Sequence, residues 1–103
     1  MKDTPIGSAA QAQAKALRAE YTRQRIGFIN VELTTALTFW ERAATERQAG
    51  HLDRVAATTR QAQIAYDEAV THLAATEMSE AEQEPLEARR RQVADRLAQF
   101  SPP

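Results

Sequence analysis

Residues 26–73 read IGFINVELTTALTFWERAATERQAGHLDRVAATTRQAQIAYDEAVTHL. In the first half, Ile26, Ile29, Leu33, Leu37, Trp40 and Ala44 recur at spacings of three and four. In the second half Leu52, Val55, Thr59, Ala62, Tyr66, Ala69 and Leu73 repeat the pattern. Such spacings place residues on one face of an α-helix. Gly50 stands between the two runs. A glycine after the last periodic residue is the usual stop for a helix, because it enters the left-handed conformation without a Cβ clash. The stretch therefore predicts a helical hairpin whose two apolar faces close on each other.

Outward from this hairpin, residues 1–7 contain Pro5 and Gly7 and are expected to be a loose leader. Ser8 suits an N-cap. Residues 9–49 hold no Pro and only Gly27, so helix 1 is expected over about 8–49. Ile, Val and Thr in 26–39 favour strands, but alternation fails there, since Asn30 and Glu32 would share a face with Ile26 and Phe28. Gly27 is expected to mark a kink or a close helix contact. A break at Gly27, folding residues 9–25 back as a fourth helix, is the alternative.

Helix 2 is expected over about 51–76, with Asp53 at the positive end of its dipole. Ser79 and Glu82 match a capping box. Pro85 clashes with a continuing helix. The reading preferred is a short turn from Ser79 and then a main helix from Pro85 to Gln99, with the stripe Leu86, Arg90, Val93, Leu97 and Phe100. Residues 101–103 are a tail. The fold class is all-α: a hairpin plus a third helix, a three-helix bundle within one domain over 8–100. The hairpin around Gly50, with Ala62, Tyr66 and Ala69, is similar to a single tetratricopeptide-type unit. It lacks that repeat's Leu-Gly pair and closing Pro, and no family is assigned from it.

Helical rise adds a length argument. Helix 1 spans roughly 60 Å and helix 2 roughly 39 Å. Running back from Gly50, helix 2 reaches only to the level of residues 21–25. Residues 9–21 then lack an intramolecular neighbour, yet Ala10, Ala14, Leu17 and Tyr21 form an apolar seam along them. An uncovered coiled-coil seam on a protruding helix points to another chain. At the open end, Glu77, Glu80, Glu82 and Glu84 are expected beside Lys15, Arg18, Arg23 and Arg25.

The remaining features favour structure over chemistry. Formal net charge is −1, which supplies no field toward nucleic acid or anionic membrane. About a fifth of the chain is Ala and there is no Cys, which excludes disulfides and thiolate chemistry. No apolar run approaches 18 residues. A cytoplasmic protein is the default expectation. Glu68 and His72, at i and i+4, are a two-ligand metal candidate whose ordinary reading is a solvated pair. Arg89, Arg90, Arg91 and Arg96 are a phosphate or nucleic-acid candidate, and helix-dipole complementation explains them more simply. Trp40, with Tyr66, is either a core anchor or the wall of an apolar pocket. Phe28 and Phe39 lie off the core stripe, so at least one is expected exposed. No catalytic residue, cofactor or metal is expected. The function expected is a non-catalytic protein–protein interaction module, self-associating (most simply as a dimer) through the N-terminal half of helix 1. Alternatives are an adaptor for a different protein, a small-ligand sensor with a pocket near Trp40, and, last, a nucleic-acid binder.

Overall fold

A computed structural model describes residues 5–99, with side chains from Gly7 onward. It consists of α1 (Pro5–Gln48), α2 (Leu52–Ala75) and α3 (Glu80–Ala98), with no strand among the described residues. The architecture is the expected all-α bundle with a long first helix. The long axis measures 76 Å against 19 and 15 Å across. The radius of gyration is 19.7 Å, where a compact chain of this length would have about 13 Å. The rod shape follows from α1 alone, whose 44 residues rise about 66 Å.

α1 begins at Pro5, three residues before Ser8. Proline favours a first helical turn, where its missing N–H is not needed. α1 then runs through Gly27 without interruption, so the fourth-helix alternative is excluded. Gly27 is not a close contact either: no heavy atom lies within 4 Å of where a Cβ would stand. Gly27→Ala should therefore stabilise the fold by about 0.5–1 kcal/mol, through helix propensity alone. A thermal melt checks this, and a lowered melting temperature would mean that the glycine has a packing role.

The first turn of the chain forms as expected. Gly50 has φ +83°. Its N–H donates to the Arg47 carbonyl at 3.1 Å and the His51 N–H to the Glu46 carbonyl at 2.8 Å. This pair of bonds is the Schellman motif, which satisfies carbonyls that the helix end leaves open.

The second turn corrects the expectation of a main helix starting at Pro85. The Ser79 capping box forms: Glu82 N–H donates to Ser79 Oγ at 3.2 Å, and Ser79 N–H donates to Glu82 Oε1 at 2.9 Å. α3 then continues through Pro85 as one helix. The proline forfeits the bond to the Ala81 carbonyl, but both residues are exposed, so water can serve that carbonyl. Of the α3 stripe, Leu86, Val93 and Leu97 are buried. Phe100 and the 101–103 tail lie outside the described residues, as do residues 1–4 of the expected 1–7 leader, while its residues 5–7 are helical instead.

The core is Ile29, Leu33, Ala36, Ala62, Ala65, Ala69, Leu73, Leu86, Val93 and Leu97, with Ile26, Leu37, Phe39, Trp40, Tyr66 and Met78 packed around it. The predicted stripes hold at Ile29 and Leu33 in α1 and at Ala62, Ala69 and Leu73 in α2, and the contact line shifts by one position at the others. Ala36 and Ala43 are buried in α1, where Leu37 and Ala44 were expected, and Thr58 and Ala65 in α2, where Thr59 and Tyr66 were expected. Small residues let helix backbones approach, and the larger Leu37, Trp40 and Tyr66 then fill the flank that α3 covers. Leu52 stays exposed.

α3 returns parallel to α1. Arg89 donates to the Asn30 carbonyl, to Asn30 Oδ1 at 2.8 Å and to Thr34 Oγ1. One further pair of turns along, the Arg96 guanidinium stands 5.2 Å from the Trp40 ring centroid.

Candidate interaction surface

The end of α2 fixes where α1 is left alone. Thr22 Oγ1 donates to the Glu77 carbonyl at 3.5 Å, and Arg25 Nε to Thr76 Oγ1 at 3.4 Å. The open end of the hairpin is therefore level with Thr22 and Arg25, as the length argument required. From Gly7 to Tyr21 every residue except Ala14 is exposed.

The expected charge pairing across this end does not form. Arg23 pairs with Glu20 of its own helix at 2.6 Å. Arg25 turns instead to His72, at 2.7 Å from its Nη2 to Nδ1. α2 returns level with these arginines, but Arg23 is taken by its own helix and Arg25 by His72 and Thr76.

On the arm, Ala10 is exposed, Ala14 is half-buried, Leu17 is 65% exposed and Tyr21 56%. A groove of about 730 Å³ runs beside them, lined by Leu17, Arg18, Tyr21, Thr22, Ala75, Thr76, Glu77 and Met78. The seam does not stop at Tyr21. Phe28 (47% exposed) and Val31 (61%) continue it. Positions 14, 17, 21, 24, 28 and 31 keep the three-four spacing, interrupted only by Gln24. At 100° per residue, Leu17, Tyr21, Phe28 and Val31 fall within about 80° of one another. They face away from Asn30 and Thr34, which bond α3. The apolar edge therefore runs from the arm onto the side of the α1–α2 hairpin that α3 leaves open.

Beneath this edge lies a polar cluster that joins both helices. The Arg25 guanidinium only donates, so His72 Nδ1 accepts, and the ring hydrogen sits on Nε2, 3.9 Å from Glu32 Oε1. The Phe28 ring meets the His72 ring edge-on, with centroids 5.0 Å apart. Glu32 is only 7% exposed, and neither carboxylate oxygen receives a hydrogen bond from a donor. Its acidity follows: burial first, and then the neighbouring Glu68 carboxyl, push the pKa up to about 7, with Arg25 pulling against them.

Glu68 and His72 thus belong to one cluster with Glu32 and Arg25, a grouping that the i, i+4 spacing alone did not reveal. Among the described residues no group of three or more His, Cys, Asp or Glu is arranged to hold a metal ion.

Trp40 and Tyr66 are half-buried and pack against the core. The Tyr66 hydroxyl accepts from Arg90 Nη1 at 3.0 Å. Of the four arginines considered for phosphate contact, Arg89, Arg90 and Arg96 are held by Asn30 and Thr34, by Glu87 and Tyr66, and by the Trp40 ring. Arg91 is exposed. No described helix is long and apolar enough to cross a membrane.

No protein-family model, curated protein or solved structure matches the chain.

Proposed function

We propose that this chain is a non-catalytic interaction module of the cytoplasm that self-associates through the N-terminal half of α1. The observation carrying this reading is the exposure of Leu17 and Tyr21 on a segment beyond the reach of α2 and α3. Exposed large apolar residues are ordinary when scattered. Here they recur at heptad positions along one edge, which is the arrangement a helix partner recognises. The engagement of three arginines inside the fold weighs against a polyanion partner.

An adaptor role toward a different protein is the second reading. The groove between Tyr21 and Met78 favours it, being wide enough for an apolar side chain from an incoming helix.

The Leu17→Glu/Tyr21→Glu double variant tests the first reading. Light scattering should show its mass falling to that of a monomer, while the helical circular dichroism persists, because neither residue supports the core. A wild type and variant of equal mass would refute self-association through this arm.

A further inference from the structure

We infer that a second copy of this chain lies antiparallel along α1, its arm packed on the exposed edge that runs through Phe28 and Val31 on the side opposite α3. This inference rests on the self-association reading and specifies its geometry. Three observations carry it.

The first is length. The exposed arm from residue 7 to 21 is about 22 Å long by helical rise, and the exposed residues Gln24, Phe28, Val31 and Thr38 leave a stretch of the same helix at least that long to receive it. An antiparallel pair centred between Tyr21 and Gln24 lays each arm on the other copy's edge, leaving neither exposed.

The second is the fit of residue sizes. In that register Leu17 of the second copy meets Phe28, Ala14 of the second copy meets Val31, and Ala10 of the second copy meets Thr35. Leu17 and Phe28 meet as an apolar pair, and in the other two pairs a small residue opposes a larger one, as interdigitating helices require.

The third is charge. Residues 8–25 carry Lys15, Arg18, Arg23 and Arg25 against the single carboxylate Glu20. Residues 67–84 carry Asp67, Glu68, Glu77, Glu80, Glu82 and Glu84 with no Lys or Arg. The antiparallel register brings the basic arm of one copy to the acidic end of α2 in the other, with Arg18 of the second copy level with Glu68 and His72. A parallel, in-register pair would instead set four cations against the same four. Like charges at close range disfavour that arrangement and opposite ones fix the register.

The chain has no cysteine, so engineered thiols report contacts without background. Ala14→Cys and Val31→Cys change residues that no core contact depends on. A disulfide needs Cα atoms within about 7 Å. When equal amounts of the two variants are mixed and oxidised, we expect a 14-to-31 disulfide in about half of the chains, the statistical share of mixed pairs, and no covalent dimer from either variant alone. Disulfides within each single variant, with a dimeric mass, would establish a parallel pair. A dimeric mass with no disulfide in the mixture would also overturn the register. In both cases self-association would stand. A monomeric mass would overturn the register and the reading beneath it together.

Discussion

Replacing Trp40 with alanine is expected to destabilise the fold by about 3 kcal/mol, the lower end of the range for Trp truncation because the ring is half-buried. The indole packs against the core and lies under the Arg96 guanidinium, at 5.2 Å. The truncation removes apolar burial between α1 and α3 together with a cation–π contact of about 0.5–1 kcal/mol. In a small domain whose total stability is about 5–15 kcal/mol, the loss is a large fraction. A thermal melt should show a fall on the order of 10 °C. A melting temperature that hardly moves would mean that Trp40 is not an anchor, and a ligand or partner role for it would become the better explanation.

The second large effect is expected at Glu32, with the opposite sign and a pH dependence. In the unfolded chain its pKa is near 4.5, and in the fold it is raised to about 7. Between those values the folded state binds more protons than the unfolded one, so this group makes stability fall as pH rises. Its contribution is neutral below about 4.5 and fully destabilising above about 7. The span corresponds to something on the order of 3 kcal/mol. Glu32→Gln removes the titration and can donate a hydrogen bond to Glu68. The variant should melt well above the wild type at pH 8 and nearly with it at pH 4.5. Other groups titrate in both proteins, so the difference between the two curves isolates Glu32. Parallel curves would show that the carboxyl is charged in the fold throughout this range.

Glu32 also shows where the sequence stops being legible. Its own helix gives no sign of burial, since a charged residue at that spacing reads as solvent-facing. Only the register of α2 brings Glu68 and His72 to it. The turns were different: Gly50 and the Ser79–Glu82 pair are local chemistry, and each acts where it stands. The reach of α2 to Thr22 was equally plain, because helical rise converts residue counts to ångströms. The predicted stripes held at Ile29, Leu33, Ala62, Ala69 and Leu73 and slipped by one position at Leu37, Ala44, Thr59 and Tyr66. Helices in contact place Ala36, Ala43 and Ala65 on the line between them and move the larger side chains to the flanks. The seam on the arm was visible as far as Tyr21. Its continuation through Phe28 and Val31 was hidden by Gln24 and by the competing core stripe on the same helix.

Coverage of the edge from Ala10 to Val31 by a second copy requires that the chain associate with itself. The most direct measurement is the mass of the wild-type chain in solution, followed by light scattering or sedimentation over a wide concentration range. A reversible rise from the 11.5 kDa of one chain to about twice that value is expected. A mass of one chain persisting to about 1 mM, where even a −4 kcal/mol association would be half complete, would contradict it.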